Sequence, residues 1–145
     1  MNKLYTAKAT ATGGRNGNVK SSDGILDLEL RTPKAMGGAN DDYTNPEQLF
    51  AAGYAACFDS ALNLIAKANN AAAGTATVTA EVSIGKNDKG GYGLAVVLNI
   101  NIAGIDLAIA HDLSAKAHEI CPYSNAIRGN VEVELVVTNE VLEQF

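Results

Sequence analysis

The segment NPEQLFAAGYAACFDSALNLIAKAN, residues 45–69, constrains the fold more than any other, because it reads as one helix that is apolar on almost every side. Asn45 can cap it, Pro46 suits its first position, and Glu47 complements the positive end of the helix dipole. From Pro46 to about Asn69 such a helix would run roughly 36 Å. Apart from Asp59, Asn63 and Lys67, residues 49–68 are nearly all apolar or small, and a helix of that kind should be buried nearly all round. A chain of 145 residues struggles to cover it on every side. Its many alanines would let a second helix approach closely. We therefore expect a homodimer in which this helix packs on its symmetry mate. The competing arrangement is a monomer whose sheet wraps the helix.

Residues 3–12 read as a strand, and GGRNGN (13–18) as a tight hairpin around Asn16-Gly17. ILDLELR (25–31) alternates from Leu26 on, as a strand with one wet face should, and 32–43 is a loop rich in Gly and Asn/Asp. After the long helix, 76–85 and 94–102 alternate cleanly, with Gly90-Gly91 in the hairpin between them. A second helix is expected over 107–119, a short third one from Pro122, and a last strand over 131–137. This order predicts an α+β domain spanning 1–145 with mostly antiparallel sheet.

Composition excludes several functions. With 47% hydrophobic and 19% charged residues the chain is globular, and a net charge of -5 leaves no basic stripe for nucleic acid. The N-terminus has no apolar signal-peptide core, and no unbroken run of about 20 apolar residues suggests a membrane span. The expected location is the cytoplasm, where thiols normally stay reduced. No GxGxxG, P-loop or GxSxG elbow occurs, so no nicotinamide, flavin or ATP cofactor is indicated. His111, His118 and Cys121 do not make a closed zinc ligand set, and no metal is expected.

Two cysteines remain, Cys57 and Cys121, too few for a disulfide framework and not in a CxxC motif. At 100° per residue, Cys57 shares its helix face with Phe50, Gly53, Tyr54, Ala61 and Leu64. It can be a small hydrophobe in the core or a reactive thiol. Cys121, directly before Pro122, sits at a helix N-cap, a place that favours a thiolate. A thiol that attacks and another that resolves would suit such a pair. Spacing alone does not show whether they meet.

TNPEQLFAAGYAACFDSAL (44–62) and CPYSNAIRGNVEVELVV (121–137), with GGRNG near the N-terminus, resemble the organic hydroperoxide resistance proteins of the Ohr/OsmC family. The resemblance covers essentially the whole chain, and CPYSNA is similar to the Ohr branch. Two departures are Ile127, where the family usually has threonine, and Asp41-Asp42-Tyr43, where it is richer in glycine. The resemblance implies an OsmC-like α+β fold, with sheets wrapped around a long central helix in an intertwined homodimer. It implies a peroxidase that reduces alkyl and fatty-acid hydroperoxides to alcohols, in defence against organic peroxide stress. Cys57 then matches the peroxidatic cysteine and Cys121 the resolving one, with Arg15 and Glu47 activating the attacking thiol. The reductant implied is a dithiol, dihydrolipoamide or a lipoylated protein.

Elementary chemistry fits these roles. A desolvated thiol is a weak nucleophile until a guanidinium stabilises its thiolate, and a carboxylate can hold that guanidinium in place. Phe50, Tyr54 and Phe58, with Tyr123 and Ile127 near Cys121, would give the apolar substrate wall. Arg15 beside Asn16-Gly17 also reads as a solvated hairpin residue, and Glu47 as a first-turn helix charge. On one straight helix Glu47 and Cys57 lie about 15 Å apart along the axis and about 80° apart around it, which one guanidinium cannot bridge. Either the helix breaks near Gly53, or Arg15 and Glu47 reach Cys57 partly from the other subunit, and we expect a site at the dimer interface. A carrier of small apolar ligands is the competing function. It would bind lipid without turnover and tolerate Cys57→Ser.

Overall fold

The computed structural model describes residues 1–71 and 76–141. The chain divides into two compact units, Met1–Leu49 and Phe50–Phe145. Its elements are strands, a long helix, a strand hairpin, two helices and a final strand, the α+β order expected.

The first unit carries a small antiparallel sheet of β1 (Ala9–Thr12), β2 (Asn18–Ser21) and β3 (Asp27–Glu29). β1 is much shorter than the strand expected over 3–12. β2 offers it only four partners, Ala9↔Ser21 to Thr12↔Asn18, and the pairing ends one residue earlier with Ser22 N–H donating to the Lys8 carbonyl. The turn also differs from the reading around Asn16-Gly17. Gly13 and Gly14 take the left-handed backbone (φ 79° and 58°) and lead into a 3-10 turn over Gly14–Asn16. Gly17 is needed for a different reason: a Cβ there would stand 1.8 Å from the Thr12 carbonyl oxygen, so only glycine lets the strands come together. Beyond β3, Leu30 is buried and bridges to Thr44.

Helix α1 runs unbroken over Pro46–Ala68, within a residue of its expected end. The Asn45 side chain accepts the Gln48 amide at 2.9 Å and the Asn45 carbonyl accepts Leu49 N–H, which together satisfy the first free donors. No break occurs at Gly53. An 18-residue window of α1 has a mean hydropathy of 1.4, so one helix is, against expectation, long and apolar enough to cross a membrane. Its alanines and leucines carry that mean past Asp59 and Asn63. In this fold Tyr54, Phe58, Leu62 and Ala66 are buried in the core instead.

The second unit holds β4 (Ala76–Lys86), β5 (Tyr92–Ile102) and β6 (Glu132–Thr138), in that order across one sheet. β4 and β5 form an antiparallel hairpin, whereas β5 and β6 run parallel. The parallel pair needs a crossover, supplied by α2 (Leu107–Ile120) and α3 (Pro122–Ile127). Alternation on β5 sends Val96, Leu98, Ile100 and Ile102 inward. Leu98 lies between Ala80 and Leu135, and Ile100 between Val78 and Val137. These residues join Tyr54, Phe58, Leu62, Leu113, Ala117 and Cys121 in one apolar cluster.

α1 is not buried all round within this chain. Its inward stripe follows the i, i+4 steps Tyr54, Phe58, Leu62 and Ala66, so the centre of the buried face is Phe58 and not Cys57. Leu64, expected beside Cys57, is 63% exposed, as are Ala52, Ala56, Ser60 and Asn63 to varying degree.

Candidate functional site

Chemistry concentrates in two places, one in each unit. In the first, the Arg15 guanidinium meets the Glu47 carboxylate in two parallel hydrogen bonds, Nη1–H to Oε2 at 2.8 Å and Nη2–H to Oε1 at 2.5 Å. Arg15 is held there by the 3-10 turn, and Glu47 sits in the first turn of α1. The pair is partly shielded, at 30% and 14% exposure. The hydrogen bond from Arg15 holds the Glu47 carboxyl below the usual carboxylate range against the opposing effect of burial. The same bond pushes Arg15 above its ordinary value. A bidentate fork of this kind fixes the guanidinium plane. Arg15 is therefore no solvated hairpin residue.

In the second unit, Cys57 and Cys121 stand with their sulfurs 3.8 Å apart, both as free thiols. Cys57 is half-buried and Cys121 fully buried. Cys121 closes α2 through its N–H to the Ala117 carbonyl and opens α3 by accepting the Asn125 N–H, both at 2.9 Å. Pro122 forces its extended backbone (φ -61°, ψ 122°), and so a sharp corner aims the thiol inward. Burial pushes the Cys57 thiol up, the Tyr123 backbone amide opposes this, and the neighbouring Cys121 thiol adds to the rise.

The aromatic residues expected in the wall lie around this pair. Phe50, Tyr54 and Tyr123 form an aromatic cluster: Phe50 packs edge-on against Tyr54 and Tyr123, with ring centroids 6.3 Å and 6.1 Å apart, and Tyr54 and Tyr123 are tilted at 40° with centroids 5.7 Å apart. Tyr123 lies across Gly53, where a Cβ would stand 2.6 Å from its hydroxyl oxygen. Tyr54 and Phe58 are buried without exposed surface, so Phe50 and Tyr123 are the members of the cluster open to a ligand. Ile127 is partly buried against the core at the end of α3.

Three features escaped the sequence. Ser124 is fully buried and bonds both the Tyr54 hydroxyl, at 2.6 Å, and His118 Nδ1, at 2.8 Å. His118, weighed only as a zinc ligand, is thus engaged with Ser124, and burial followed by the nearby Arg128 charge lowers it below the usual histidine range. The available signal was spacing: His118 and Ser124 each lie three residues from Cys121, close to one helical turn. Asp59 has a buried oxygen, Oδ1, with no hydrogen-bond partner among the described residues, and burial raises its carboxyl.

Known proteins share this chain's sequence and fold. The model of the OsmC-like protein family matches residues 38–136. An organic hydroperoxide resistance protein of Xanthomonas axonopodis pv. citri is 51% identical over 135 residues, covering 92% of this chain and 94% of the relative. A crystal structure of an organic hydroperoxide resistance protein from Elizabethkingia anophelis, with thiocyanate bound, superposes with a TM-score of 0.93 at 61% identity, covering 97% of this chain and 100% of that one. The crystal structure of OhrB from Bacillus subtilis gives 0.85 at 46% identity, with 93% and 99% covered. The chain therefore belongs to the Ohr/OsmC family, among its organic hydroperoxide resistance proteins.

Proposed function

We propose that the chain is a thiol peroxidase that reduces organic hydroperoxides, alkyl and fatty-acid, to alcohols. Its family serves defence against organic peroxides; the thiol mechanism is our reading. The observation that carries it is the 3.8 Å contact between a half-buried and a buried thiol drawn from positions 64 residues apart. A disulfide needs about 2.05 Å between sulfurs, a closure of under about 2 Å that rotation about the two Cα–Cβ bonds can supply.

In this reading the Cys57 thiolate attacks the outer oxygen of ROOH. The O–O bond breaks, sulfenic acid forms on Cys57, and the alkoxide leaves to take a proton as ROH. The Cys121 thiol then attacks the Cys57 sulfur, forming the disulfide and releasing water. A dithiol, dihydrolipoamide or a lipoylated protein, reopens it by exchange and becomes the cyclic disulfide. Arg15, oriented by Glu47, stabilises the Cys57 thiolate and the departing oxygen. Since α1 is unbroken between Glu47 and Cys57, we propose that Arg15 and Glu47 reach Cys57 from the other subunit of a homodimer. The exposed small residues Ala52, Ala56 and Ser60 of α1 suit such a partner.

The test is consumption of tert-butyl hydroperoxide with dihydrolipoamide, comparing wild type with Cys57→Ser and Cys121→Ser. Loss of turnover in Cys57→Ser, with over-oxidised Cys57 in Cys121→Ser, supports the reading. A folded wild type that turns over no hydroperoxide with any dithiol sinks it and favours an apolar-ligand carrier.

A further inference from the structure

The two thiols are framed by a buried hydroxyl chain that the peroxidase reading does not use. Tyr54 lies three residues before Cys57 on α1, His118 three before Cys121 on α2, and Ser124 three after it on α3. Tyr54 and Ser124 have no exposed surface. Ser124 Oγ stands 2.6 Å from the Tyr54 hydroxyl and 2.8 Å from His118 Nδ1, so one side chain joins all three helices. Arg128 braces the far side, donating from Nη2 to the His118 carbonyl at 2.6 Å and from its backbone N–H to the Ser124 carbonyl at 3.0 Å.

Such a chain has a specific mechanical consequence. Residues three apart on a helix share a face, so Tyr54 fixes the turn of α1 that presents Cys57. Ser124 and His118 fix the two arms of the corner that presents Cys121. A buried hydroxyl left without a partner is destabilising, which penalises any rotation of the corner away from α1. Both sulfurs are close enough to the Tyr54 hydroxyl that a negative charge on either would raise its pKa, after the larger effect of burial.

We propose that Tyr54, Ser124 and His118 are positioning residues for disulfide closure. They hold the Cys121 sulfur in line with Cys57, so that the sulfenic acid condenses with Cys121 before a second hydroperoxide oxidises it to sulfinic acid. The function rests on the thiol-peroxidase reading, but the positioning itself does not need a peroxide.

Two measurements on the full chain separate the two ideas. In the first, reduced protein receives stepwise tert-butyl hydroperoxide, and mass spectrometry gives the ratio of disulfide to sulfinic acid at Cys57. Ser124→Ala and Tyr54→Phe, which keeps the ring, should each lower that ratio about tenfold, the factor that about 1.4 kcal/mol supplies. His118→Asn, with an amide near the Nδ1 position, should stay closer to wild type than His118→Ala. In the second, the dithiol–disulfide equilibrium is measured in a dithiothreitol redox buffer after diamide oxidation, and the same variants should shift it about tenfold towards the dithiol. If folded Ser124→Ala and Tyr54→Phe match wild type in both measurements, the positioning role is overturned. If wild type consumes no hydroperoxide yet the variants shift the equilibrium, the positioning role stands and the peroxidase reading falls.

Discussion

Replacing Gly53 by alanine tests the aromatic cluster over Cys57. The new methyl would stand 2.6 Å from Tyr123 Oη, 3.1 Å from Cζ and 3.2 Å from Cε2, whereas non-bonded atoms settle at about 3.5–4.0 Å. The ring tip must therefore retreat by about 1 Å, and Tyr123, 38% exposed, can swing outward. Its contacts with Phe50 and Tyr54 hold it inward. Aromatic pairs contribute about 0.5–1.5 kcal/mol each, so losing both costs about 1–3 kcal/mol. Exchanging glycine for alanine inside a helix offsets about 0.8–1.0 kcal/mol of that. The expected balance is a loss of about 0–2 kcal/mol, or a melting point lowered by about 2–4 °C per kcal/mol. Kinetics should respond more clearly. On the peroxidase reading proposed above, displacing the ring removes part of the apolar wall, and KM should rise about tenfold for a fatty-acid hydroperoxide, for about 1.4 kcal/mol of lost contact, and less for tert-butyl hydroperoxide. Thermal melts and steady-state assays with both substrates decide it. A variant stabilised by the full helix gain of about 1 kcal/mol, with both KM values unchanged, would refute the packing of Tyr123 on Gly53.

Three further outcomes are expected. Glu47→Gln removes the charge from the fork on Arg15, and should cost about 1 kcal/mol in denaturant unfolding near neutral pH. Because the folded Glu47 carboxyl is lowered, its contribution is complete above the ordinary carboxylate range and fades as pH falls through the folded value. The variant and wild type should therefore converge in acid. Asp59→Asn should have the opposite sign. Its folded carboxyl is raised by burial, so ionising it weakens the fold as pH climbs above the ordinary carboxylate value. The variant should melt no lower than wild type at neutral pH, and a clear loss would mean Oδ1 has a partner. Burial, then Cys121, raises the Cys57 thiol, and if Arg15 activates it as proposed, iodoacetamide alkylation should keep accelerating to higher pH in Arg15→Ala than in wild type. Equal pH profiles for Arg15→Ala and wild type would exclude Arg15 from activating Cys57.

The sequence by itself determined what local chemistry determines. The cap at Asn45, Pro46 in the first turn, the alternation of β5 and the corner at Cys121-Pro122 depend on neighbours within one turn or one strand, and all were legible. Long-range pairing decided the rest. β1 is cut to four residues because β2 is short, and β6 runs parallel because α2 and α3 carry the chain across the sheet. Phe58 took the centre of the buried face because the sheet and α2 lie on that side of α1. Motif resemblance suggested two paired thiols, but only the folded chain brought Cys57 and Cys121, 64 residues apart, to 3.8 Å. Tyr54 and Ser124, 70 residues apart, met in the same way. Spacing puts Ser124 about one turn from Cys121 but does not name its partners, which are reached only when three helices converge on one buried hydroxyl.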